Sequence, residues 1–297
     1  MENIKRAKKI DKNKLFWGLL FTLPLAVFYV VFRYYTSLQS LILSFFNYKV
    51  TDPFGQLVGF SNYVAIFKDP VFYKQLWNTV CLFLLGLVFG FWVPILQALL
   101  IGSLKGPLKN VFKYFFLLPA AIPGVASMAL WKYIWEPEGG LANVVVGFFG
   151  LGPYSWLASK ELVKFCLRFP GILGGGINVL IYLVAIDNVP QEMYEAARLD
   201  GASEFRQLLS ITLPNITGMI GIQFLLSLTS SLLAFDDVYV LTQGGPARES
   251  ETLVMGIYNQ VYTYNQYGKG MATSVFVLVV TIILSMIQLK VQNRKVD

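Results

Sequence analysis

The 297 residues are 56% apolar and 14% charged, with 24 basic against 17 acidic side chains and no histidine. Soluble domains hold about 45–50% apolar and about 25% charged residues, so this composition belongs in lipid. It excludes a soluble enzyme, a secreted disulfide scaffold and a disordered chain, and without histidine neither a zinc hydrolase nor a Ser-His triad can be built. Cys81 and Cys166 sit in or beside apolar runs and read as small buried hydrophobes.

Residues 1–14 hold Lys5, Arg6, Lys8, Lys9, Lys12 and Lys14 against two acids. The apolar run behind them, Leu15–Phe32, is too long for a signal peptide and ends at Phe32-Arg33-Tyr34-Tyr35, not at a small-residue cleavage site. It reads as an uncleaved first span with its basic tail in the cytoplasm. Residues 34–48 extend this helix outward. The polar, aromatic segment Asn47–Trp77, with Pro53 and Pro70, then forms short helices on the outer membrane surface. Further spans follow at Gln75–Leu104, Tyr114–Trp131, Phe169–Ile186, Gln207–Phe235 and Gly270–Leu289. Each is long enough, or nearly so, for a hydrocarbon layer about 30 Å thick. Gly139–Ser159 is uncharged too, but five glycines and a proline interrupt it; it reads as an outer loop with a short interfacial helix. The expectation is an all-α membrane protein with six transmembrane helices. One domain covers 15–290, with its core at about 75–290, between cytoplasmic tails 1–14 and 291–297. The sequence has no internal repeat.

Charge agrees with that orientation. The segments assigned to the cytoplasm (1–14, 105–113, 187–213 and the C-terminal tail with Lys290, Arg294 and Lys295) carry 14 basic and 8 acidic side chains. The remainder carries 10 and 9. The basic excess is therefore an orientation signal, and no nucleic-acid motif accompanies it.

Polar groups within a span mark a pathway or a helix contact. In the fifth span Gln223, Ser227, Ser230, Ser231 and Ala234 recur at helical spacing, before Phe235-Asp236-Asp237-Val238-Tyr239. Each serine alone suits helix packing or pathway; as a stripe they favour pathway. The fourth span opens Arg168-Phe169-Pro170-Gly171-Ile172-Leu173-Gly174-Gly175-Gly176-Ile177-Asn178. Its four glycines within six residues indicate either close helix approach or vacated space. Arg168 and the pair Asp236-Asp237 lie near the outer ends of their spans, where they either hydrogen-bond sugar hydroxyls or neutralise one another. Trp131, Trp135 and Trp156 read as interface anchors.

The loop between the fourth and fifth spans differs from the other cytoplasmic loops. It runs from Asp187 through Glu192, Tyr194-Glu195-Ala196-Ala197-Arg198-Leu199-Asp200-Gly201-Ala202-Ser203-Glu204-Phe205-Arg206 to Ile211-Thr212-Leu213-Pro214. Pro190 suits the start of a short helix, Gly201 ends it, Ser203 caps a second, and Pro214 opens the fifth span. Acids outnumber bases five to two, which an anionic leaflet repels, so the loop reads as a knob that docks on a protein.

Glu195-Ala196-Ala197, then Gly201, then Ile211-x-Leu213-Pro214 resembles the EAA loop, the signature of permease subunits of ATP-binding cassette importers. Gly59-Phe60-Ser61-Asn62-Tyr63, Trp77-Asn78-Thr79, Gly150-Leu151-Gly152-Pro153 and Gly244-Gly245-Pro246 resemble the carbohydrate-importing branch, and the likeness covers roughly residues 15–290. The resemblance implies that Glu195, Ala196, Ala197, Arg198, Gly201, Phe205 and Arg206 couple to a cytoplasmic ATPase. It also implies a homologous second permease, two ATPase copies that bind ATP and Mg, an outer solute-binding protein, and a bacterial inner-membrane location with both termini cytoplasmic. The pathway it implies involves Arg168, Gly174, Ile177, Asn178, Gln223, Ser227, Ser231, Phe235, Asp236 and Tyr239. With glycine at positions bulky in some relatives, a roomy cavity for an oligosaccharide is expected, and Gly174→Trp should abolish import without disturbing assembly. The chain itself has no phosphate loop: Gly268-Lys269-Gly270 lacks the upstream glycine and the hydroxyl residue. The alternatives are an ion-coupled secondary carrier, disfavoured by uncharged span centres, and an enzyme acting on lipid-linked sugars, disfavoured by the lack of a metal-spaced cluster.

Overall fold

The computed structural model describes residues 12–49 and 52–293. Of the tails expected at 1–14 and 291–297, residues 1–11 and 294–297, with Arg294 and Lys295, lie outside the described residues, and the remainder is helical.

Six apolar helical segments make up the body: four continuous helices and two bent pairs. Helix α1 begins as Lys12–Tyr29 and continues through a π turn, Val30–Tyr35, into Thr36–Leu43. No side chain from Phe16 to Tyr35 is buried, as suits a helix facing lipid on all sides. The chain then forms an antiparallel hairpin, β1 (Phe46–Lys49) and β2 (Asp52–Leu57), pairing Phe46 with Leu57 and Asn47 with Gln56. The extended helix therefore stops at Leu43, and this hairpin is the one departure, among the described residues, from an all-helical chain. Helix α2 (Ser61–Lys68) follows; Asn62 Nδ2 donates to the Ser44 and Phe46 carbonyls at 2.8 and 3.0 Å and ties it to the hairpin.

Helix α3 (Pro70–Ser103) is capped by Asp69, whose side chain accepts the Val71 N–H at 2.9 Å. A π turn at Leu87–Phe91 precedes Pro94. Proline lacks the N–H that would bond the carbonyl four residues back, and a widened turn accommodates the missing bond. The expected third span is not straight. It is α4 (Pro107–Ala121) and α5 (Gly124–Ile134), bent by 91°, because Pro119 and Pro123 leave two helical bonds unmade and Ile122 before Pro123 turns extended. The short helix expected in the outer loop is α6 (Leu141–Gly147).

The fourth span is also broken, into α7 (Val163–Leu173) and α8 (Ile177–Asp187), bent by 45°. Gly174, Gly175 and Gly176 all have positive φ, at 60°, 83° and 73°, which residues with a Cβ adopt only under strain. The exposed backbone of the break finds partners: Gly175 N–H donates to Gln97 Oε1 at 2.7 Å, Gln97 Nε2 to the Leu173 carbonyl at 2.8 Å, and Gly176 N–H to the Phe116 carbonyl at 2.7 Å. In lipid such pairing is obligatory.

Helix α9 (Gln191–Leu199) forms the knob expected between the fourth and fifth spans, and α10 (Glu204–Leu232) follows as one continuous helix. Pro214 therefore lies inside a helix that begins ten residues earlier, directly behind a π turn at Leu208–Thr212, and does not open the fifth span. Helices α11 (Asp236–Leu241), α12 (Leu253–Tyr258) and α13 (Tyr267–Asn293) complete the chain. The core lies in layers along α3: Ile95, Ala98 and Ile101 pack on Val179, Tyr182 and Leu183 of α8, while Ile66 and Phe72 pack on Leu253, Ala272 and Val277 near the start of α3.

Candidate functional site

The middle of the body holds a half-open cavity of about 480 Å³ between α3, α7, α8 and α10. Its polar lining is Arg168, Asn178, Tyr182, Gln223, Ser227, Ser230 and Ser231, facing Phe83, Phe91 and Pro94. The serines share one face because they fall at helical spacing along α10. Gln223 Nε2 donates to Asn178 Oδ1 at 3.2 Å across the cavity, and Ser227 Oγ donates to its own helix at the Phe224 carbonyl. Apart from Arg168, the polar part of the wall is neutral amides and hydroxyls, which can donate and accept.

Arg168 closes one side. Its Nη1 donates to Asp237 Oδ2 at 2.8 Å and its Nε to the Leu82 carbonyl at 3.1 Å, while Nη2 is buried without a partner. Of the two earlier readings, the geometry is that of mutual neutralisation. The pair separates the central cavity from a second one of about 280 Å³, lined by Ser127, Met128, Trp131, Pro170, Gly171 and Asp237. Asp236 is exposed and belongs to neither.

Several candidates lie elsewhere. Gly174 does not border the cavity; a Cβ there would lie 2.5 Å from Val93 Cγ1 and 2.6 Å from Gln97 Oε1. The glycines serve close approach and not vacated space, so the roomy cavity inferred from them is withdrawn, and with it the expectation that Gly174→Trp spares assembly. Ile177 is exposed beside the break. Phe235 and Tyr239 stack on each other, centroids 5.2 Å apart, and meet Tyr258 in an aromatic cluster away from the cavity. Trp135 and Trp156 are buried against Cys166 and so are no interface anchors. Gly86, Gly90 and Pro94 line the cavity without having been singled out; their spacing of four along one face was the available signal.

At the knob, α9 ends at Gly201, whose φ is 73°. Ser203 Oγ accepts the Arg206 N–H at 3.3 Å and caps α10. Tyr194 and Thr212 share a hydroxyl hydrogen bond at 2.9 Å, and Gln207 Nε2 donates to the Ala202 carbonyl at 2.8 Å. These contacts fix the knob to the start of α10. Glu195, Ala196, Arg198, Phe205 and Arg206 are exposed, Ala197 is half-buried, and Leu199 is 90% exposed.

The loop 242–252 is built in. Asn78 Nδ2 donates to the Arg248 and Glu251 carbonyls at 2.8 and 3.0 Å, and Thr79 Oγ1 accepts the Leu253 N–H at 3.1 Å. Lys74 and Lys164 flank Glu249 at 2.8 and 3.4 Å. The hydrogen bond from Lys74 holds the Glu249 carboxyl below the usual carboxylate range. Among the described residues no group of three or more Cys, Asp or Glu is spaced for a metal. Gly268 packs against Phe46 and Asn62.

The family model for binding-protein-dependent transport system inner membrane components matches residues 90–297. The chain belongs to this family. As a member it is a permease, a multi-pass transport component of the membrane and not an enzyme. It is similar to the probable ABC transporter permease protein YurN of Bacillus subtilis (strain 168), 33% identical over 95% of this chain and 97% of YurN. It is also similar to the arabinooligosaccharides transport system permease protein AraP of that organism, 32% identical over 92% of this permease and 88% of AraP. A chain in the crystal structure of a bacterial alginate ABC transporter, in complex with an alginate pentasaccharide-bound periplasmic protein, matches with a TM-score of 0.82 at 25% identity over 96% of each chain.

Proposed function

We propose that this permease forms half of the pathway of an ATP-driven importer of a carbohydrate, an oligosaccharide in particular. The observation that carries the reading is the central cavity, walled by Asn178, Gln223, Ser227, Ser230 and Ser231 with aromatic rings opposite. Hydroxyl-rich cargo needs neutral groups that both donate and accept, together with apolar faces for its C–H surfaces. The names of AraP and of the alginate importer, whose periplasmic protein holds a pentasaccharide, support a saccharide longer than one unit.

In this reading α9 and the first turn of α10 dock on a cytoplasmic ATPase. Leu199 and Phe205 are 90% and 71% exposed, and apolar side chains so prominent on an otherwise polar knob are contact area for a protein. Glu195, Arg198 and Arg206 orient the contact; Ala196 and Ala197 allow close approach; Gly201 turns the corner. The bonds from Tyr194 to Thr212 and from Gln207 to Ala202 carry a push on α9 into α10, whose serine face lines the cavity. ATP and Mg belong to that ATPase, present in two copies; a homologous second permease supplies the other half of the pathway, and an outer solute-binding protein delivers cargo. The membrane is the bacterial inner membrane, with both termini cytoplasmic.

Uptake of labelled oligosaccharides into vesicles with ATP trapped inside tests the reading. Import should need ATP and the binding protein, and Gln223→Ala with Ser227→Ala should reduce it at least tenfold with the complex assembled. Uptake driven by a proton gradient without ATP would sink it in favour of an ion-coupled carrier.

A further inference from the structure

Among the described residues, Arg168 is the one charged residue in the wall of the central cavity. Its charge is cancelled at 2.8 Å by Asp237, and the two side chains are only 19% and 14% exposed. Asp237 is held in turn, since its Oδ1 accepts the Val238 N–H at 3.0 Å. An anionic cargo would need the guanidinium to itself, which strands a carboxylate largely shielded from water; a cationic cargo would need the carboxylate and strands the guanidinium. Breaking a hydrogen-bonded pair that is mostly out of water is unfavourable from either side. Asn178, Gln223 and the serines carry no charge with which to compensate.

We infer that the Arg168–Asp237 pair sets the charge selectivity of this half of the pathway and restricts its cargo to uncharged saccharides. The inference rests on the carbohydrate reading for the word saccharide, and on the cavity and the pair alone for the word uncharged. In this arrangement Arg168 is a specificity-determining residue through the charge that Asp237 cancels.

The test needs no cargo. In the full chain, co-expressed with its partner subunits and with Cys81 and Cys166 replaced by alanine, Ser231→Cys puts one thiol in the cavity wall. Its reaction rates are measured with anionic sulfonatoethyl, cationic trimethylammonioethyl and neutral hydroxyethyl methanethiosulfonates. With the pair intact, the anion-to-cation rate ratio should match that of glutathione within about threefold. Asp237→Asn should raise the ratio at least tenfold, Arg168→Gln should lower it at least tenfold, and the double variant should return it to the starting value. An unchanged neutral rate establishes that the cavity is intact; where a single variant does not assemble, the other single and the double variant decide. Ratios that ignore the substitutions, or a strong bias with the pair intact, would overturn the inference. The expected ratios together with a failure of saccharide uptake would instead remove the carbohydrate reading and leave the charge assignment standing.

Discussion

Gly174 and Gly201 both turn the chain with positive φ, at 60° and 73°, yet their surroundings are opposite. A Cβ on Gly174 would run into Val93 and Gln97, whereas one on Gly201 would meet nothing within 4 Å. In the fourth span glycine is needed for both backbone angle and closeness, because the broken helix borrows hydrogen bonds from α3 and α4. At the knob it is needed for the angle alone. The break in the fourth span is thus packed within this chain, while the knob is left open, with Leu199 and Phe205 exposed.

Substitution by alanine should separate the two corners. Gly174→Ala combines left-handed backbone strain of about 1–2 kcal/mol with overpacking of about 1–3 kcal/mol. A total of roughly 2–5 kcal/mol is a large share of a typical folding stability of about 5–15 kcal/mol. Loss of the assembled complex on size-exclusion chromatography, or a large drop in Tm in detergent, is the expected result; an unperturbed Tm would mean that the break is looser than its packing indicates.

The outer loop 242–252 is a third corner of the packed kind, since Gly244 sits against the Glu251 side chain. Asn78 is its anchor and is fully buried. Asn78→Ala removes two hydrogen bonds and leaves two carbonyls buried beside the gap, for a cost of about 2–3 kcal/mol. Thermal unfolding monitored by tryptophan fluorescence measures it. A change below about 0.5 kcal/mol would place the loop with the open knob instead.

Gly201→Ala should cost less, about 1–2 kcal/mol of backbone strain with no overlap. Its effect should appear chiefly in transport, because a corner that resists its angle misdirects α9. ATP hydrolysis stimulated by the binding protein and import, measured on the same vesicles, should fall out of proportion, with import the more affected. Equal loss of both would assign Gly201 to stability alone.

The knob was legible in the sequence because its signals are local: Gly201 ends α9 and Ser203 caps α10 within a few residues of one another. The six apolar runs were legible for the same reason, since hydropathy is a property of each segment. What depends on missing backbone bonds was read less well. Pro119 and Pro123 stood within the third run, but hydropathy counts apolar atoms and not absent N–H donors, so a bend of 91° passed as a straight span. The fate of Arg168 could not be read locally at all. Its partner Asp237 lies 69 residues away, and only the packing of α11 beside α7 selects it over the neighbouring Asp236. The glycines of the fourth span posed two possibilities, and the choice between them depended on Val93 and Gln97 in a different helix.

The smallest expected effect concerns how charge secures the packed outer corner. Glu249 lies between Lys74 and Lys164, and the hydrogen bond from Lys74 lowers its pKa in the folded protein. A carboxyl depressed on folding contributes stability above its unfolded value of about 4.3, and loses that contribution as pH falls through the lower folded value. The side chain is 25% exposed, so solvent screening limits the pair to under about 1 kcal/mol. Glu249→Gln should therefore lower Tm by a small margin at pH 7, the margin should narrow as pH falls below about 4, and added salt should narrow it at neutral pH. A gap that persists in acid would mean that Glu249 holds the loop through packing, and the outer corner would then owe its order to Asn78 and Thr79 without help from charge.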